Sequence, residues 1–207
     1  MGLSRSIILN VILFPFILPS FIAWLCVNQD SKRKIRMDVE MYWARTRGKS
    51  NGTSLSNMLY QLLANCKEFR NVFYCRLGRV GRVLPMLLRP VDSLFINPVL
   101  CKNYDGGLYI AHGTSVQIYA NKIGKNLWMH HNVTIGMIGE GRPVIGDNVY
   151  IGTGAVILGG ITIGNNVRIG ANAIVVDDVP DNAVVVSPKA KVVKILTPKN
   201  KEEYFRG

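Results

Sequence analysis

Histidine is scarce in this 207-residue chain: there are three, and all fall between residues 112 and 131. Cysteine is almost as thin. Cys26, Cys66, Cys75 and Cys101 have no paired spacing and none lies near two histidines, which argues against a disulfide framework and against a metal site. A reducing cytoplasm fits that usage. Acidic residues are also few, 13 against 25 Lys and Arg, for a net charge of +12. The excess is uneven: residues 1–100 carry fourteen basic and five acidic residues, and the remainder eleven and eight. Aromatics are only 9% of the chain and are not interleaved with the basic residues, so nucleic acid is not the expected partner.

What is present begins with an apolar stretch, Ile7 to Val27, interrupted by Asn10, Pro15, Pro19 and Ser20. Its 21 residues match a bilayer crossing, and Lys32-Arg33-Lys34-Ile35-Arg36 follows on what would be the cytoplasmic side. Three readings stay open: a spanning anchor, an interfacial or re-entrant segment broken at the prolines, and a buried helical arm in an oligomer. No small-residue cleavage site follows, which argues against a signal peptide. Residues 37–94 form a helical lead-in, in which Leu55, Met58, Leu59, Leu62 and Leu63 recur at three and four and Ser54 or Ser56 supplies a cap. The Gly48–Thr53 stretch reads as a turn between two helices, not as a phosphate loop.

From Ile145 onward an aliphatic residue recurs every sixth position: Ile145, Ile151, Ile157, Ile163, Ile169, Val175. A second series of small or aliphatic residues follows four places later: Val149, Ala155, Ile161, Val167, Ala173, Val179. A period of six is neither strand nor helix; it is a repeat. Three short strands per coil make a triangular prism whose successive coils stack in parallel ~4.8 Å apart. Both series point inward, and Gly, Asn, Asp and Thr take the corners, where positive φ is tolerated. The expected fold is therefore mainly β, a left-handed parallel β-helix over residues 95–192. It follows an apolar and basic segment (1–36) and the helical lead-in (37–94), and precedes a tail (193–207).

Run backwards, the register passes Ile135, Met129 and Ile123, then Val116 and Ile110. The ten-residue step from Ile135 to Ile145 predicts a protruding loop within Met137–Arg142. The seven-residue step from Val116 predicts a small bulge near Tyr119-Ala120.

His112 and His131 each stand two places after an inward residue and are expected at one corner of neighbouring coils. Thr153 and Ala171 occupy the same position further up. An edge reading His, His, small, small suits acyl transfer: a long donor lies along the small side chains and its reactive end meets an imidazole that takes a proton from a hydroxyl. Corner amides or Asn132 are candidates for holding the oxyanion. Asp105 and Glu140 are the candidates for orienting His112. His130, one place after Met129, faces outward on a flat side.

The runs Gly107–His112, Ile123–Asn126, Asn132–Gly136, Pro143–Gly152 and Ile169–Ala173 resemble the serine acetyltransferase-like branch of the left-handed β-helix hexapeptide acyltransferases. Within it the chain is similar to the exopolysaccharide O-acetyltransferases of the colanic acid type. The resemblance implies a homotrimer with active sites between adjacent prisms and acetyl-CoA as co-substrate. It puts the catalytic histidine on His112 and the coenzyme contacts on Thr153 and Ala171, with Gly136 and Arg168 nearby. The chain departs from the serine-specific pattern at Arg142, where a second histidine is usual, at Phe95-Ile96-Asn97-Pro98, which lacks an aspartate, and at Ser187–Lys191. The expected activity is O-acetylation of a cell-surface polysaccharide or its precursor, in the cytoplasm at the inner face of the membrane. Serine O-acetylation and a non-catalytic scaffold are the alternatives.

Overall fold

The computed structural model describes residues 14, 15, 17–78, 95–96, 103–193 and 195. Three faces build a parallel β-helix. Face I stacks β2 (Tyr109–Ile110), β5 (Trp128–Met129), β8 (Tyr150–Ile151), β11 (Arg168–Ile169) and β13 (Val184–Val185). Face II stacks β1 (Phe95–Ile96), β3 (Gln117–Ile118), β6 (Thr134–Gly136), β9 (Val156–Leu158) and β12 (Ile174–Val175). Face III holds β4 (Lys122–Ile123), β7 (Val144–Ile145) and β10 (Thr162–Ile163). Every ladder is parallel, and the predicted inward series pairs with itself: Met129 with Ile151, Ile151 with Ile169, Ile145 with Ile163, Ile157 with Val175. Both aliphatic series are buried throughout. Each such side chain contributes about 1.5–3 kcal/mol, so the column itself holds the prism together.

One register expectation needs correcting. The residue that continues the column below Ile135 is Ile118, paired with it directly, and not Val116. The step from Ile110 is thus eight residues and the next, to Ile123, only five. The extra residues sit at the His112 corner, where both His112 (φ 53°) and Ser115 (φ 54°) take left-handed backbone; Tyr119-Ala120 is a shortened corner, not a bulge.

The corner between faces III and I is held by an asparagine ladder. Asn126, Asn148, Asn166 and Asn182 all have φ near 60°, and their side-chain amides bond up the axis at 2.9, 3.1 and 2.9 Å. Only Gly or Asn adopts that backbone at little cost, which is why asparagine recurs there.

Helices close the lower end. The apolar segment is helical at residues 14–15 and 17–26 (α1). Ile17 is buried, and Phe21, Trp24 and Val27 pack on the core, while Phe14, Leu18, Ile22 and Leu25 stay exposed. Among the described residues no helix is long and apolar enough to cross a membrane; Ile7 to Leu13 lies outside them. The basic run is not a loose flank but part of α2 (Gln29–Thr46), capped by Asn28 Oδ1, which accepts from Ser31 N at 2.8 Å. Three of its cations pair with carboxylates: Arg33 and Lys34 with Asp30, Arg36 with Glu40. α3 (Leu55–Asn65) follows a turn and is capped by Ser54. α4 (Lys67–Arg76) completes the bundle. Most of the 193–207 tail lies outside the described residues.

The bundle grips β2, the bottom strand of face I. Tyr42 Oη accepts from Ile110 N at 3.1 Å and donates to its carbonyl. Asp38 accepts from the Gly107 and Leu108 amides at 2.8 and 2.9 Å and takes a two-point contact from Arg76 at 2.8 and 3.0 Å. Arg76 in turn donates to the Tyr104 and Asp105 carbonyls. Burial pushes the Asp38 carboxyl up, against the pull of the Arg76 charge and the two amides. Backbone groups that an open edge would expose are thereby satisfied.

Candidate active site

The corner between faces I and II carries the two imidazoles. His112 is exposed, in left-handed backbone, and its carbonyl accepts from Thr114 N at 2.6 Å. His131 sits one coil above, with ring centroids 6.4 Å apart and planes at 74°. Its Nδ1 is buried and has no hydrogen-bond partner among the described residues. The edge continues as expected: Gly154 N donates to the His131 carbonyl and Asn172 N to the Thr153 carbonyl, stacking His131, Thr153 and Ala171 in line. Gly152 lets these coils approach, since a Cβ there would lie 2.6 Å from Ala171 N. The Asn132 amide is already committed to the Thr114 carbonyl at 2.9 Å.

Other expected members lie elsewhere. Within one chain Asp105 is not beside His112. It follows Tyr104, which bridges to Ile123, and so stands at the corner between faces III and I, across the width of face I from the imidazoles. Its carboxylate is bound to Arg33 at 2.8 Å and to Gly106 N at 2.7 Å, contacts that hold its pKa below the ordinary value despite partial burial. The loop of residues 137–142 leaves the corner between faces II and III, so within one chain it is not beside the histidines. It closes as a small hairpin between Ile138 and Gly141, and Gly141 packs so tightly on Gly160 that a Cβ would come within 2.6 Å of Gly160 N. Gly136 ends β6 at this same corner, under Leu158. Glu140 is exposed and lines a pocket of about 450 Å³ with Asn121, Met137 and Arg142. Arg168 points outward from face I. Among the described residues no cluster of His, Cys, Asp and Glu could hold a metal ion.

Comparison with known proteins matches this geometry. Residues 142–177 fit the family model described as bacterial transferase hexapeptide (six repeats). The serine acetyltransferase of Helicobacter pylori is 36% identical over 119 residues, which span 55% of this chain and 68% of that one. The chain belongs to the serine acetyltransferase-like family of hexapeptide acyltransferases. The protein named as colanic acid biosynthesis acetyltransferase WcaB of Escherichia coli is 47% identical over 87 residues, 40% of this chain and 54% of its own length. The crystal structure of Neisseria gonorrhoeae serine acetyltransferase in complex with serine superposes with a TM-score of 0.63 at 28% identity, covering 84% of this chain and 73% of that one. The protein is thus an acetyltransferase of the serine acetyltransferase and WcaB type, and proteins of that type use acetyl-CoA.

In this acetyltransferase three further residues, Tyr109, Trp128 and Tyr150, were not singled out by the sequence and stack below Arg168, which was. The outward positions of face I stack Tyr109, Trp128, Tyr150 and Arg168, each just before an inward aliphatic residue. Trp128 meets Tyr109 at 6.0 Å and Tyr150 at 4.9 Å, both edge to face, and His130 stacks on it at 5.8 Å and 29°. Burial, with the nearby charges of His112 and His131 adding to it, lowers the His130 pKa from 6.5. The signal was available: those positions are 19, 22 and 18 residues apart, one coil each, and align only when the sequence is read coil over coil.

Proposed function

We propose that this acetyltransferase moves an acetyl group from acetyl-CoA to a hydroxyl of a cell-surface polysaccharide or its precursor, with His112 as general base. The observation that carries the reading is the imidazole pair at the foot of a smooth edge. As the acceptor oxygen bonds to the thioester carbonyl carbon, His112 takes its proton; the C–S bond then breaks and the thiolate leaves with that proton. His131, whose ring lies 6.4 Å from that of His112, helps hold the acceptor hydroxyl in line. Thr153 and Ala171 leave room along the edge for the pantetheine arm.

Gly136 and the loop lie at a different corner from His112, and a homotrimer brings one protomer's loop corner against its neighbour's histidine corner. Glu140 of the neighbour is then the carboxylate in reach of the imidazole. The exposed Phe14, Leu18, Ile22 and Leu25 of α1 suit an interfacial contact at the inner face of the membrane, where a lipid-linked precursor is met. Cosedimentation with anionic vesicles tests that contact; a protein left wholly in the supernatant refutes it.

The WcaB match favours the glycan as acceptor, while the Helicobacter relative and the gonococcal structure with serine favour a second reading, free serine. Release of coenzyme A measured against serine, nucleotide sugars and lipid-linked glycans separates them. Turnover with a glycan and none with serine is expected; efficient turnover with serine alone overturns the polysaccharide assignment.

A further inference from the structure

A cleft of about 590 Å³ runs between α2 and the middle strands of face I, lined by Glu40, Arg45, Asn126, Trp128, Tyr150 and Arg168. Its size is that of a small-molecule site, about 300–1,000 Å³. Two arginines reach into it from different elements, one from the helix and one from β11. Each lies over a ring: Arg45 Cζ is 3.9 Å from the Trp128 centroid, and Arg168 Cζ 4.8 Å from that of Tyr150. Among the described residues neither forms an ion pair, and Glu40, the acid that lines the cleft, is bound to Arg36 at 2.9 Å. Two guanidinium groups with no carboxylate partner among the described residues thus line one cleft, each seated over an aromatic ring.

The stacking decides what fits. Arg45 covers the Trp128 ring, on which His130 also stacks at 29°, and Arg168 covers Tyr150, so a nucleobase would have to displace a guanidinium to stack from the cleft. A guanidinium stacked through its flat face still presents its N–H donors around the edge, in a fork that matches a carboxylate or phosphate. The cleft thus offers charged donors at its rim and the Asn126 amide beside them, a combination that serves hydroxyl groups and an anion together. It also adjoins the reaction corner: His130 bridges Trp128 and Tyr150 and precedes His131 in the chain.

We propose that the cleft between α2 and face I binds an anionic sugar of the acceptor, a uronate or a sugar phosphate, through Arg45 and Arg168. The proposal rests on the glycan reading of the reaction and narrows it: the acetylated glycan carries a negatively charged sugar.

The test is titration of the full-length protein, without acetyl-CoA, by calorimetry and tryptophan fluorescence. The probes are a glucuronate-containing oligosaccharide, glucose 1-phosphate and a neutral oligosaccharide of equal length. At least one anionic probe should bind ten times or more tightly than the neutral one, and which of the two does so identifies the source of the charge. Arg45→Gln and Arg168→Gln, both at exposed positions, should each weaken that binding about tenfold or more. Arg168→Lys should recover only part of it. In turnover Arg45→Gln should raise KM for the acceptor while leaving KM for acetyl-CoA unchanged. Equal affinity for neutral and anionic probes, unchanged affinity in both variants, or loss of acetyl-CoA affinity instead would overturn the assignment. Failure of the base assignment is separable, because His112→Ala should still bind the anionic probe.

Discussion

Asp38 is the residue on which the attachment of the helices to the first coil depends most. Its side chain is 1% exposed and that of Arg76 3%, and the carboxylate accepts from four donors: two on Arg76 and the amides of Gly107 and Leu108. Asp38→Ala leaves a buried guanidinium without a counter-charge, a loss of about 3–5 kcal/mol. It also strands two amides, each about 1–3 kcal/mol when unsatisfied, though shared neighbours keep these from adding fully. A loss of at least about 3 kcal/mol, with a urea slope of about 1–3 kcal/mol per molar, moves the unfolding midpoint down by about 1 M or more. The double variant Asp38→Ala/Arg76→Met removes the lone charge and should recover much of the loss, but not all, because the two amides remain unpaired. Urea unfolding of the four proteins of this cycle gives the coupling. Because His112 lies two residues past Ile110, itself held by Tyr42, the single variant should also lose turnover under conditions where it remains folded. A midpoint shift below about 0.3 M, or strictly additive single and double changes, would refute the claim that this pair anchors the coil.

Further outcomes follow from the same geometry. Gly152→Ala drives a Cβ to 2.6 Å from Ala171 N and should spread the coils at the coenzyme edge, raising KM for acetyl-CoA more than KM for the acceptor; an unchanged KM for acetyl-CoA would separate that edge from coenzyme binding. The His130 pKa is lowered in the folded state, so its contribution to stability is fully present above pH 6.5 and is lost as pH falls through the lowered value. His130→Phe keeps a ring beside Trp128 and removes the titration, so its unfolding midpoint should change less with pH below 6.5 than that of the parent; parallel curves would contradict this.

The column from Ile123 upward was legible because its step is fixed and its corners are filled by residues that accept left-handed backbone. The register failed at the His112 corner for a physical reason. Val116 and Ile118 are two apart, so both point into the prism, and only the pairing of Ile118 with Ile135 shows which continues the column. The His112–His131 juxtaposition survived the error, since it depends on the 19-residue offset of the lowest coil and not on the strand between. Within one chain Asp105 stands apart from His112, because nearness in sequence says nothing about which corner a residue occupies, and its partner there, Arg33, is 72 residues away. The loop was placed correctly along the chain, but its corner depends on the order of the faces. The gripping of β2 by Asp38, Tyr42 and Arg76 left no trace at the level of pattern: those residues sit in ordinary helical sequence and gain their roles only from a partner strand about 30 to 70 residues on.

His112 is proposed to take the acceptor's proton at the corner where Thr153 and Ala171 would leave room for acetyl-CoA. The most direct measurement pairs single-turnover acetyl transfer with acetyl-CoA binding in His112→Ala. Transfer should fall by about 10²–10⁴-fold while acetyl-CoA affinity stays within about twofold of the parent's. Transfer retained at near-parental rate would contradict the assignment.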